Sequence, residues 1–232
     1  MSEELFCRTA QGYIAYGLNV PAANVLEVDD PEGFHFFGRE DLNLLVWRRG
    51  TSAPRLDALV ATTRDARDLE VEPAVLRAGS LTADVSRFVQ SRYEPASDAS
   101  MALAVDLFDL SSLLLNLTGA PAIRSRFERV EHDGCRLFHT DKNTLRLLCT
   151  YAGAGTQWLP DAAVDRSALG KGSNAAICSN TRAVRSIRRG DVALLKGDAW
   201  PGNAGRGIVH RSPPIAKSGQ SRLLLTLDLL AG

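Results

Sequence analysis

After Pro121 the chain breaks into short apolar runs, each closed by a turn signal, and this alternation restricts the fold more than any other feature of the sequence. Residues 123–130 (IRSRFERV) alternate apolar and polar side chains, as a strand with one buried face does. Residues 135–139, 145–151, 183–187, 191–196, 207–210 and 222–228 are further strand-like runs. Asp133-Gly134, Gly153-Ala154-Gly155, Arg189-Gly190-Asp191, Pro201-Gly202-Asn203 and Gly219 punctuate them. Many short strands with almost no helical periodicity predict a β-sandwich or barrel.

The first 120 residues read differently. Residues 43–47 (NLLVW) form a compact strand-like run. Residues 54–62 predict a short helix with Leu56, Leu59 and Val60 on one face and Pro54 near its start. Residues 82–93 predict another, with Val85, Phe88 and Val89 at helical spacing. The strongest helix signal spans about residues 97–117, with Ser97 or Asp98 as N-cap and Gly119 as stop. It is apolar over most of its surface, which predicts burial against a sheet. The expected class is α+β. Residues 1–120 are read as a mixed helical and strand elaboration packed on the core, and residues 121–232 as the all-β core, together one compact unit.

Composition narrows the function. The chain carries 27 Lys+Arg against 27 Asp+Glu and is 45% hydrophobic, which excludes a disordered polyelectrolyte. A balanced charge also argues against a nonspecific nucleic-acid binder, which needs a basic face. The sequence starts MSEELFCRTA, acidic where an export signal is positive. The apolar stretch 101–117 is interrupted by Asp106, Asp109, Ser111, Ser112 and Asn116, so no membrane span is expected. The four cysteines are scattered without a CxxC pair and read as reduced thiols, so a cytoplasmic location is expected.

The chemistry concentrates in His139-Thr140-Asp141. On a strand, residues two apart point to the same side, so one strand offers an imidazole and a carboxylate to one point. His210 closes a later strand-like run and can supply a third ligand. Two histidines and one carboxylate on one face of a metal form the facial triad of non-haem Fe(II) oxygenases, which leaves positions open for other ligands. The plain alternative is a packed His139 and an Asp141 that caps a turn. Arg222 opens the last run, RLLLTLD. A guanidinium there can grip the far carboxylate of a dicarboxylate co-substrate, or pair with Asp228 or Asp191 instead.

The order of these parts resembles the double-stranded β-helix (jelly-roll, cupin-like) core of the 2-oxoglutarate/Fe(II) dioxygenase superfamily. The matching parts are His139 and Asp141, the run 145–155, Gly190-Asp191, His210 and Arg222. Over nearly the whole chain, NLLVWRR, CRLFHTDKNTLRLLCTYAGAGTQWLPD, LLKGDAWPGN, GIVHRSPP and RLLLTLD resemble a bacterial domain family of unknown function. Its members are often encoded beside zinc-responsive genes and a metal-chaperone GTPase. The superfamily resemblance implies Fe(II) held by His139, Asp141 and His210, and 2-oxoglutarate held by Arg222, in a hydroxylase-type oxygenase. The family context implies the alternative: Zn(II) on the same ligands in a zinc-limitation protein without oxygenase activity, linked in function to the GTPase. Two departures stand out. Gly153 to Trp158 (GAGTQW) replaces the superfamily's glycine-rich acidic motif, and Leu224 stands where Ser or Thr is frequent.

Further candidates each carry two readings. Tyr151 and Lys196 can contact a co-substrate, or pack in a strand and snorkel at a strand end. Arg211 and Trp200 can bind substrate, or shape and plug the loops around His210. The substrate, small molecule or protein, is not specified by the sequence. His35, among Phe34, Phe36 and Phe37, is expected in the core; His132 is expected in an exposed turn; Cys135 is expected to fill space.

Overall fold

The run 145–151 is apolar at nearly every position because both of its faces are covered. The computed structural model describes residues 24–50, 73–93, 97–216 and 218–230. Its strands are β1 (Val25–Val28), β2 (Leu44–Trp47), β3 (Ala74–Arg77), β4 (Ala122–Val130), β5 (Leu145–Ala152), β6 (Gln157–Trp158), β7 (Arg185–Ser186), β8 (Val192–Lys196), β9 (His210–Arg211) and β10 (Arg222–Leu229). Its helices are α1 (Leu81–Gln90), α2 (Asp98–Thr118) and the one-turn α3 (Asn174–Ile177). A seven-stranded sheet has the order β1-β2-β8-β5-β10-β4-β3, and a three-stranded sheet the order β7-β6-β9. This is a mixed α+β architecture with one large sheet.

Alternation divides the large sheet into two environments. Leu145, Leu147, Cys149 and Tyr151 of β5, with Leu223, Leu225 and Leu227 of β10, join a core completed by α1 and α2. On the other face, Leu148, Ala193, Leu195, Leu44 and Val46 meet Trp158, Ile187 and Ile208 from the small-sheet side. The space between the sheets is therefore lined by the even-numbered residues of β5 and β10.

The long helix forms where its signals place it. Ser97 Oγ accepts a hydrogen bond from the Ser100 N–H, and Gly119 ends the helix at φ +65°, a conformation that favours glycine. By length and composition alone α2 could cross a membrane, but Leu103, Leu107, Leu110 and Leu114 are fully buried against the sheet. Each such side chain contributes about 1.5–3 kcal/mol of transfer free energy. The helix expected over 82–93 is α1, and the one expected over 54–62 lies outside the described residues.

Several expectations differ in form. The strands of the first 120 residues belong to the core's own large sheet rather than packing on it: β1 and β2 extend one edge through β8, and β3 extends the other through β4. The run 135–139 is not a strand; only His139 pairs, in an isolated bridge with His210. The runs 183–187 and 207–210 reduce to the short β7 and β9. Residues between β6 and β7 form 3-10 turns and α3 around a small core of Phe138, Leu159, Ala168, Ile177, Cys178 and Val209.

Candidate metal centre

His139 and His210 stand side by side because their backbones pair. The His139 N–H donates to His210 O at 3.0 Å and the His210 N–H donates to His139 O at 2.9 Å. Their ring centroids lie 4.6 Å apart. Each ring contacts a carbonyl two residues earlier in its own chain through Nδ1: Leu137 O at 2.9 Å for His139, and Ile208 O at 3.1 Å for His210. A ring that donates from Nδ1 presents the Nε2 lone pair, the form a metal ligand needs. Burial pushes the His210 imidazole down to about 4, against the opposing pull of the Asp141 carboxylate, so it is neutral at pH 7.

Asp141 completes the set. Its Oδ1 lies 3.8 Å from His139 Nε2 and its Oδ2 lies 3.6 Å from His210 Nε2, both beyond hydrogen-bond range. One donor atom from each of the three residues lies within 4.8 Å of the others. Oδ2 is buried and ion-paired with Arg146 Nη1 at 2.8 Å, off the hydrogen-bond axis. A carboxylate whose Oδ1 accepts no hydrogen bond from either imidazole, beside two ring nitrogens, fits a cation. Among the described residues no cysteine joins the three donors, so the set is the nitrogen–oxygen facial type rather than a sulfur-rich zinc site.

The loop carrying the ligands is fixed from below. Asp198 accepts hydrogen bonds from Thr140 Oγ1 at 2.8 Å, Lys142 Nζ at 2.7 Å and the Gly207 N–H at 3.1 Å. The Asp198 N–H donates to Asp141 O at 2.8 Å. Gly197 permits this approach: a Cβ there would lie 2.1 Å from Asn143 O and 2.9 Å from Asp141 O.

Arg222 opens β10 between the two sheets and is 1% exposed. Its Nη2 donates to Thr156 Oγ1 at 3.0 Å and Thr150 Oγ1 at 3.2 Å, and its Nε has no partner. Among the described residues no carboxylate pairs with it; Asp228 and Asp191 pair elsewhere. Burial lowers its pKa to about 10, against the pull of Glu128, so it stays charged at neutral pH. The two threonine hydroxyls stand beside the guanidinium where Leu224 offers none.

The structure separates the remaining candidates from this centre. Tyr151 faces α2, where its hydroxyl donates to Asp106, which also pairs with Arg49. Lys196 pairs with Leu145 in the sheet register and so shares the helix-side face. Its Nζ donates to Arg39 O at 2.7 Å and lies 4.8 and 4.9 Å from the Phe37 and Trp200 rings, so Lys196 and Trp200 form one aromatic clamp. Arg211 follows His210 directly and points the opposite way, donating to Gln157 Oε1 at 2.8 Å and covering the Phe138 ring. His35 is exposed, while Phe34 and Phe37 are buried. His132 and Cys135 are exposed.

Sequence reasoning missed Arg146, Thr150, Thr156 and Asp198, and weighed Asp228 only as a partner of Arg222. Arg146 was visible as a lone charge in an otherwise apolar run, and Asp228 as the acid sharing the Arg222 face of β10.

Comparison with known proteins gives the following. A family described as "Protein of unknown function (DUF1826)" matches residues 28–228. No curated protein matches the sequence. Among solved structures, the dioxygenase for auxin oxidation from rice is similar over 90% of this chain and 83% of its own, with 17% identity and a TM-score of 0.50. Dioxygenase for auxin oxidation 1 from Arabidopsis thaliana, in complex with 2-oxoglutarate, is similar over 90% and 92%, with 12% identity and a TM-score of 0.47. A Pseudomonas putida prolyl-4-hydroxylase is similar over 87% and 99%, with 13% identity and a TM-score of 0.43. The likeness to the rice protein is one of fold.

Proposed function

The chain belongs to the DUF1826 family, and from that premise we propose that it is a mononuclear Fe(II), 2-oxoglutarate-dependent oxygenase. One observation carries the reading. Arg222, a buried guanidinium with no carboxylate in contact among the described residues, bonds Thr150 on the face of β5 from which Arg146 reaches Asp141 of the His-Asp-His set. An uncompensated buried cation is costly, and a dicarboxylate co-substrate reaching Arg222 at one end would relieve that cost.

In this reading His139, Asp141 and His210 hold the iron. Arg222 takes the distal carboxylate of 2-oxoglutarate, and the Thr150 and Thr156 hydroxyls lie within reach of the same group. Bound iron with 2-oxoglutarate supplies oxidative chemistry that no side chain can. The protein's own part is to present two adjacent imidazoles, orient one carboxylate and keep Arg222 dry. Leu148, Trp158 and Ile208 exclude water from the inner wall.

The test is anaerobic. Fe(II) followed by 2-oxoglutarate should produce the weak visible charge-transfer absorption of a ferrous 2-oxo acid chelate. That band should vanish in Asp141→Ala and weaken in Arg222→Ala. Fe(II) binding without the band would leave a metal protein and remove 2-oxoglutarate from the proposal.

A further inference from the structure

Both oxygens of Asp141 face the gap between the imidazoles, 3.8 Å from His139 Nε2 and 3.6 Å from His210 Nε2. A carboxylate so placed can bind an ion through both oxygens. Each additional bond closes a position, and the facial triad works by keeping positions open. Something must hold one oxygen back.

Arg146 is placed to do so. Its Nη1 lies 2.8 Å from Asp141 Oδ2, an ion-pair contact off the hydrogen-bond axis. Its other edge is clamped: Nε donates to Asp228 Oδ1 at 2.7 Å and Nη2 to Asp228 Oδ2 at 3.1 Å. Asp228 sits directly across from Arg146 in the β5–β10 register. It is itself held by Asn143 Nδ2 at 2.9 Å and Arg126 Nη2 at 3.3 Å. Two-point binding by a planar guanidinium fixes direction as well as distance, which an ammonium cannot do.

We infer that Arg146, braced by Asp228, is a positioning residue that occupies Asp141 Oδ2 and keeps Asp141 to a single metal bond through Oδ1. The inference rests on the metal reading of His139, Asp141 and His210. It assigns Arg146 no contact with the reacting atoms. If Arg146 served only to neutralise Asp228, its removal would affect stability and leave the coordination count unchanged.

The experiment uses Mn(II) as probe on the full chain, without 2-oxoglutarate. Affinity is read by titration of the free-ion electron paramagnetic resonance signal, and bound waters are counted by water-proton relaxation. Arg146→Gln should lose one bound water relative to the parent, as Asp141 closes on the metal through both oxygens. Arg146→Lys keeps a cation at Oδ2 and should retain the parent's count. Asp228→Asn loosens the brace and should weaken Mn(II) binding about tenfold, the usual scale for a group behind a ligand. An identical water count in the parent and Arg146→Gln overturns the inference. Should Arg146→Gln fail to fold by its melting curve, an unchanged Mn(II) affinity in Asp228→Asn overturns it. A parent that binds Mn(II) no better than His139→Ala sinks the metal reading itself, a result distinct from either of those.

Discussion

His139 and His210 exchange both of their backbone hydrogen bonds while each ring contacts its own chain through Nδ1. Neither imidazole is positioned by a flexible contact. The pairing of two segments distant in sequence therefore sets the spacing of the two imidazoles, and the Nδ1 contacts set their tilt.

Arg222 is expected to trade stability against binding. Replacing a buried, unpaired guanidinium with an apolar side chain removes a desolvation penalty. Arg222→Met should therefore be at least as stable as the parent in urea, while its 2-oxoglutarate affinity falls. A lost charge-assisted pair costs about 1.5–3 kcal/mol, or roughly 10- to 150-fold in affinity. A marked drop in the urea midpoint with unchanged affinity would assign Arg222 to structure instead.

Tyr151 is expected to behave in the opposite way. Its hydroxyl is committed to Asp106 on the helix face. Tyr151→Phe should leave metal and 2-oxoglutarate binding unchanged. Asp106 keeps its Arg49 partner, so the loss of stability should be modest, about 1–2 kcal/mol by denaturant titration.

Asp84 ties stability to pH. Burial alone would raise its pKa, but the Arg77 N–H, the Ser80 hydroxyl and the Arg87 and Arg77 guanidinium groups outweigh that and hold it below the usual carboxylate range. A folded-state pKa below the unfolded value of about 3.9 means the contribution is fully present above it and lost as pH falls through the folded value. Thermal melts from neutral to acid pH should show the parent losing stability below about pH 5, and Asp84→Asn losing less over the same range.

Gly197→Ala tests the seating of the ligand loop. The added Cβ would meet Asn143 O at 2.1 Å, with Asp141 O close behind. The backbone must move, and Asp141 with it. Mn(II) affinity should fall at least about tenfold, given that sub-ångström placement governs such sites. Parent-like affinity would show that the loop adjusts without disturbing Asp141.

The candidate ligands were legible as a His-x-Asp pair and a later histidine, although His139 and Asp141 converge through an isolated bridge and a loop rather than along a strand. Tyr151 and Lys196 were not assignable, since β5 and β8 are buried on both faces and their alternation carries no label for inside. Arg211 points away from His210 because successive strand residues alternate sides, a signal present in the sequence. The small sheet was harder. Its strands are two residues long and owe their shape to the turns between β6 and β7, which pack on Phe138 and Val209. The Thr150 and Thr156 hydroxyls come from one strand and one loop, and only the fold brings them to a common guanidinium.

β10 lies in the middle of the large sheet, bonded along its length to both β4 and β5. It is also the last strand of the described chain to leave the ribosome. Until it arrives, β4 and β5 each present an unpaired inner edge, the kind of surface that recruits foreign strands. Joining β4 and β3 to the rest of the sheet therefore depends on β10, and the strand that makes that join also carries Arg222.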